Sequence, residues 1–265
     1  MLIAQISDPH LRPPGILYQG LVDSNAMFDA AVRHLNALDP APDLVLLSGD
    51  LVDEGTAEEY AAARQALSAI RKPLLAIPGN HDHRERFRCC FRDRGYLPSE
   101  GPLHFAQGAF GPVRILGLDI TVPGEHHGDM TDEACAWLAA RLAEEPSRPT
   151  LVMMHQPPVE SGIPYIDKYN CRGGERLADI ITRYPNVERI LCGHIHRAMQ
   201  CRFAGTMLAT APSTTTAIAL RLSPDAAPGS FLEPPALLLH QWKEGRGLIT
   251  HVSPIGAFSG PWPFF

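Results

Sequence analysis

The sequence has no stretch near the roughly 20 consecutive apolar residues of a membrane-spanning helix. Its apolar runs, such as Leu44–Leu47, are short. It also has no run of Lys and Arg. The 23 basic residues stand against 29 acidic ones, a net charge of −6, so a long polyanion such as duplex DNA is not an expected partner. A small anionic substrate is still allowed, because bound metal ions would supply local positive charge. Cysteine is sparse and unpatterned. Cys89, Cys90, Cys135, Cys171, Cys192 and Cys201 show neither CxxC spacing nor the density of a disulfide-built secreted domain. The first residues, Met1–Asp8, have too short an apolar run and no basic leader for a signal peptide. These absences set the expectation of a cytoplasmic protein with reduced thiols and no membrane partner. No internal repeat is present.

What is there suits a large core. The chain has 265 residues, 45% of them hydrophobic, enough for one α/β domain over 1–265. Buried strands are expected at Leu2–Ile6, Leu44–Leu47, Leu74–Ile77, Leu151–Met154 and Arg189–Cys192. Amphipathic helices are expected between them. One carries Phe28, Ala31, Val32, Leu35 and Leu38 on a stripe, and another opens on the capping-box pair Thr56 and Glu59. A third begins near Thr131, and a fourth includes Leu177, Ile180 and Ile181 and stops before Pro185. Leu103–Gln107 with Val113–Leu118, and Met199–Phe203 with Met207–Thr210, read as hairpins, the second turning at Ala204-Gly205. Late strands follow at Ala236–Trp242 and Leu248–Val252, with a Pro-, Gly- and Ala-rich loop at 223–235 before them and an aromatic, Pro-rich tail from Pro254 to Phe265 after them.

The polar residues of interest sit at strand ends. Asp8 and His10 follow the first strand, and Gly49-Asp50 the second. Gly79-Asn80-His81-Asp82 follows the third, His155 the run ending at Met154, and Gly193-His194-Ile195-His196 the run ending at Cys192. Ligands of α/β sheets gather at the carboxyl ends of strands, so five strand ends would deliver Asp, His and Asn to one rim. Each element alone has a bland reading as a turn or cap. Together they form a donor set without thiolate, suited to borderline or hard divalent ions. Two carboxylates, four imidazoles and one amide are too many donors for one ion and enough for two, if one carboxylate bridges. The glycines before Asp50, Asn80 and His194 are expected to allow tight turns.

These motifs, D-x-H, G-D, G-N-H-D, a lone His and G-H-x-H, resemble the calcineurin-like metallophosphoesterase superfamily. Leu2–Asp82, the Met154–Pro158 segment and Gly256–Trp262 are most similar to bacterial glycerophosphodiesterases and class III cyclic-nucleotide phosphodiesterases. The resemblance implies a four-layer αββα sandwich with a small cap and dimerisation region, here about 197–265. It implies metal ligation by Asp8, His10 and His196 at one site and by Asn80, His155 and His194 at the other, with Asp50 bridging both. His81 would face the substrate phosphate or leaving group. Gln156 stands where many relatives have a second His, and Pro212–Thr216 lacks a substrate-side His found in glycerophosphodiesterases.

The implied activity is hydrolysis of a small phosphodiester, a glycerophosphodiester or cyclic nucleotide, by a hydroxide bridging two ions about 3.5–4 Å apart. Fe, Mn, Zn and Co all suit the donors. Asp50 and His81 are the expected catalytic residues. A phosphomonoesterase, a nuclease and a non-catalytic scaffold of the same fold are the alternatives. Phosphatase relatives carry an Arg after G-D-x-V-D. Here Glu54 takes that position, and it would repel a second substrate charge if it faced the site. His34, His104, His126, His127 and His240 are expected to be solvated or locally bonded, with the 126–127 pair able to approach the site mouth. The aromatic tail with Trp262, Phe264 and Phe265 adds an expectation of a homo-oligomer.

Overall fold

The computed structural model describes residues 1–264; Phe265 lies outside the described residues. In the first half of the chain, the alternation of β1 (Leu2–Ile6), α1 (Ser24–Ala37), β2 (Leu44–Ser48), α2 (Ala57–Ser68), β3 (Leu74–Ile77) and α3 (Arg84–Phe91) builds the parallel strands of the first sheet. β4 (Phe105–Gln107), β5 (Arg114–Gly117), α4 (Asp132–Glu144), β6 (Thr150–Met153), α5 (Gly174–Ile181), β7 (Val187–Cys192), β8 (Met199–Phe203) and β9 (Thr206–Thr210) build the second. The short β10 (Ala217–Ile218) and β11 (Ser230–Phe231) pair with each other, and β12 (Ala236–Lys243) and β13 (Gly247–Pro254) return to the first sheet. The sheet orders are β13-β12-β1-β2-β3 and β4-β5-β6-β7-β9-β8.

The period of two along each strand explains the layers. Val45 and Leu47 face a core shared with Phe28, Leu35, Ala63 and Phe87 of the helices. Their neighbours Leu44 and Leu46 face the opposite way, into a core with Ile115, Leu151, Met153 and Leu191 of the second sheet. Val152 and Ile190 face outward again, onto Leu138 and Leu142 of α4 and Leu177 of α5. The result is the expected αββα order. Strands buried on both faces read as continuous apolar runs, which is why they were visible in the sequence.

Capping sets the helix starts. The Thr56 hydroxyl accepts from Glu59 N at 3.3 Å while the Glu59 carboxylate accepts from Thr56 N at 2.9 Å. Thr131 caps α4 through its hydroxyl alone, which accepts from Ala134 N at 3.2 Å. The helix α3, RERFRCCF, is only eight residues long and was not among the expected helices. Phe87 and Phe91, one turn apart and stacked at 4.6 Å, bury the face that holds it. The loop expected at 223–235 contains the two-residue strand β11. The expected hairpins form, and Ala204 and Gly205 both turn with positive φ.

Candidate active site

Two strand-end turns are laced to each other before any side chain is considered. Asp8 N donates to Gly49 O at 3.1 Å, His10 N to Asp50 O at 3.1 Å and Leu11 N to Leu51 O at 3.0 Å. The chains after β1 and β2 thus continue as a ladder past the ends of the strands. Five of the seven expected ligands, Asp8, His10, Asp50, His194 and His196, have left-handed backbone, with φ between 45° and 67°. Such residues cost on the order of 1–3 kcal/mol each, and strain of this kind gathers at functional sites.

The glycines act differently from expectation. Only Gly49, at φ 101°, needs glycine's conformational freedom; Gly79 and Gly193 are required for space. A Cβ at Gly79 would lie 2.2 Å from Asp50 Oδ1, and one at Gly193 would lie 2.2 Å from Ser7 Oγ. The ligand side chains occupy the room that a side chain would fill.

The expected ligands converge. Donor atoms of Asp8, His10, Asp50 and His196 all lie within 4.8 Å of one another, and so do those of Asp50, His155 and His194. Asp50 belongs to both groups, and its carboxylate is buried. Asn80 stands half-buried on the same cleft as Asp50 and His194. Hydrogen bonds to acceptors fix the ring nitrogens. His155 Nδ1 donates to Ser48 O at 2.7 Å, and His196 Nδ1 to Thr216 O at 2.9 Å. That leaves Nε2 as the inward atom of each ring. Among the described residues, His155 Nε2 and His194 Nε2 are buried without a hydrogen-bond partner. Buried orphan nitrogens beside two carboxylates fit divalent cations, and nitrogen with carboxylate oxygen is a fitting donor set.

The electrostatics agree. Burial alone would lower His155, but Asp50 and Asp8 overcome it and hold the ring up at about 9. Burial would raise Asp50, yet His155 and His81 keep it well below the usual carboxylate range. The two buried carboxylates thus make the pocket one that favours positive charge. His194 is driven the other way, down, by burial and by the neighbouring His155, so it stands as a neutral donor.

His81 lines the cleft, and its ring meets that of His10 edge-on at 4.8 Å. Its Nδ1 donates to Asp53 O at 2.6 Å, with the Asp53 carboxylate 3.5 Å away. Asp53 also reaches His10 Nδ1 at 3.5 Å, so one residue steadies two rings. Tyr18 stacks on His10 at 4.7 Å. Gln156 Nε2 donates to Asn80 Oδ1 at 3.3 Å and to His126 O at 3.0 Å. His126 stands 3.3 Å from Asn80 Nδ2 and lines the cleft, whereas His127 turns to Glu125 at 3.5 Å. Of these, His126 had a signal in its loop able to reach the mouth, and Gln156 one in its place after His155. Asp53, Tyr18 and Gln156 matter through tertiary contacts that spacing does not display. His34 bonds Ser253, His104 accepts from Asp119 N, and His240 is buried between Thr250 and Gln5, as locally bonded residues.

Glu54 does not face the cleft. Its carboxylate lies 2.9 Å from Arg12, a guanidinium that also holds Asp53 and Glu59. The expected repulsion of a second substrate charge by Glu54 therefore does not arise. The cleft itself encloses about 410 Å³ and is walled by Tyr18, Tyr165, Ile166, Tyr169 and Ile218, with Pro228–Ser230 at its edge; no Lys or Arg is among its lining residues.

Comparison with known proteins agrees with this geometry. Residues 1–198 match the family model described as calcineurin-like phosphoesterase. A probable glycerophosphodiester phosphodiesterase GpdQ of Arcobacter nitrofigilis is 37% identical over 266 residues, covering 100% of this chain and 97% of that protein. The 3′,5′-cyclic adenosine monophosphate phosphodiesterase CpdA of Escherichia coli is 28% identical over 214 residues, covering 80% of this chain and 75% of that one. Among solved structures, a dimetal phosphatase from Danio rerio superposes with a TM-score of 0.70 at 13% identity, covering 97% of this chain and 99% of that one, which shows a shared fold.

Proposed function

The chain belongs to the calcineurin-like phosphoesterase family, and we propose that it hydrolyses small phosphodiesters, of the glycerophosphodiester or cyclic-nucleotide class, at the cleft around Asp50. The observation that carries the reading is the sharing of buried Asp50 between two groups of converging donors. In this proposal Asp8, His10, Asp50 and His196 hold one cation, and Asp50, Asn80, His155 and His194 the other. Two bound divalent ions of Fe, Mn, Zn or Co would supply charge to the phosphate oxygens and a water acidified for attack.

The chain's own residues do the rest. Asp53 O holds the proton on His81 Nδ1 and so aims Nε2 as the proton-handling atom. As imidazolium, His81 would give its Nε2 proton to the leaving alkoxide, with the Asp53 carboxylate facing the ring's charge. Tyr165, Ile166, Tyr169 and Ile218 offer an apolar wall to the alcohol groups and exclude water there.

The absence of Lys and Arg from the lining supports a diester over its rivals. A dianionic monoester would lack a guanidinium fork for its extra charge, and a long nucleic acid would lack a basic track. Assay of bis(p-nitrophenyl) phosphate, p-nitrophenyl phosphate, glycerophosphoethanolamine and 3′,5′-cyclic AMP tests this. Faster turnover of the diesters is expected, and a preference for the monoester would sink it. The proposal also includes a cytoplasmic location; among the described residues no helix is long and apolar enough to cross a membrane. It further includes a homo-oligomer, supported by Phe258 and Trp262, which are 65% and 76% exposed. The segment 197–265 would then contribute cap and subunit contacts; a monomeric sedimentation profile would remove that part.

A further inference from the structure

Between the two sheets the core is apolar, with a line of buried polar side chains running through it. Gln5 of β1 and His240 of β12 are both fully buried there. Gln5 Nε2 donates to Ser48 Oγ at 2.8 Å and to Cys192 O at 3.0 Å. Its Oε1 lies 3.1 Å from His240 Nε2, and His240 Nδ1 lies 2.8 Å from Thr250 Oγ1. Arg189 donates to the same Thr250 oxygen, and Ser48 Oγ donates to Ser7 Oγ at 2.8 Å.

The partner chemistry fixes each proton. Cys192 O can only accept, so the Gln5 amide nitrogen faces it and Oε1 faces His240 Nε2. The neutral ring accepts at Nδ1 from the Thr250 hydroxyl, whose oxygen accepts from Arg189. His240 Nε2 then carries the ring proton and donates to Gln5 Oε1. The amide nitrogen of Gln5 is thereby held toward Ser48 and Cys192. The opposite rotamer would set two carbonyl oxygens against each other. The chain of donors runs one way, from Arg189 to Ser7, and such chains reinforce themselves in a buried setting.

We propose that Gln5 is a positioning residue for the second cation group, held in orientation by His240. Ser48 ends β2 and Cys192 ends β7, so Gln5 ties one strand end from each sheet. The side chains that depend on those two ends are Asp50, two residues past Ser48; His194, two past Cys192; and His155, bonded to Ser48 O. These three are the second donor group. The first group shares Asp50 with the second, but its other members have further anchors: His196 on Thr216 O, and Asp8 and His10 through the backbone ladder to the β2 turn. Loss of Gln5 would let the sheets shift at the second group first.

This inference rests on reading Asp50, His155 and His194 as a cation site. Co²⁺ titration of the metal-free protein, followed by visible absorption, tests both separately. In Gln5→Met the second binding event is expected to weaken roughly 10–100-fold and by more than the first, as for other groups that orient ligands. His240→Leu should weaken the second event about tenfold. His240→Gln keeps a donor and an acceptor and should restore it. A wild-type chain that does not bind two ions would refute the site itself. Two wild-type events that stay unchanged in Gln5→Met, or weaken equally, would overturn the role of Gln5. If Gln5→Met does not fold, the His240 pair decides. Equal second-event affinities in His240→Leu and His240→Gln would then overturn it.

Discussion

The two donor groups that share Asp50 are built unequally. Asp8, His10, Asp50 and His196 are all buried, and two of the four are carboxylates. The other group has the shared carboxylate and two buried imidazoles, and Asn80, the ligand proposed to complete it, stands half-buried on the same cleft and leans on Gln156 and His126. A private carboxylate brings more Coulomb attraction than a neutral amide, and enclosure strengthens it further. The first group should therefore hold its ion tightly, and the second should exchange it. The backbone differs in the same sense: the β1 and β2 turns are laced by backbone hydrogen bonds, while the β3 turn is steadied by side chains.

Removing what the two groups share breaks the comparison most severely. Asp50→Asn should abolish paired metal binding and lower kcat by more than any other single change, measured by metal analysis alongside diester turnover. Retention of two ions would show that Asp50 is not shared. Next in size is His81→Ala. It should lose roughly 10²–10⁴-fold in kcat while both ions stay, because the role proposed for it is proton transfer and not metal ligation. Loss of an ion in this variant would move His81 into the ligand set.

Gln156→Leu sharpens the contrast. It frees the Asn80 amide, so the second ion should bind roughly 10–100-fold more weakly and the first should not change. A calorimetric titration with Mn²⁺ reads both. The smallest effect is on stability against pH. Burial holds His240 down at about 3, so the unfolded chain takes up a proton near the ordinary 6.5 that the folded chain refuses. Stability from this residue is complete above about 6.5 and declines as pH falls toward 3. Urea unfolding of wild type and His240→Gln at pH 7 and pH 5 should show a larger loss on acidification in the wild type.

The strand ends and the candidate donors that follow them were legible in the sequence because both signals are local. Val45-Leu46-Leu47-Ser48-Gly49-Asp50 carries a buried run and its candidate donor within six residues, and the other four ends repeat the pattern. The remainder of the site was not legible, because it is made by contacts across the fold. Gln156 acts on Asn80 from 76 residues away, and Gln5 bonds Cys192 from 187 residues away. The reading of Glu54 failed for the same reason. Its neighbour Arg12, on a distant turn, draws the carboxylate off the cleft. The helix α3 was missed because, at eight residues, its two phenylalanines suffice to dock it but make too short a stripe to recognise.

The most direct test is electron paramagnetic resonance of the protein loaded with Mn²⁺. Two ions per chain with an exchange-coupled spectrum are expected, since ions joined through Asp50 would lie about 3.5–4 Å apart. A single ion per chain, or two giving the separate six-line signals of isolated Mn²⁺, would contradict the sharing of Asp50 on which the functional reading depends.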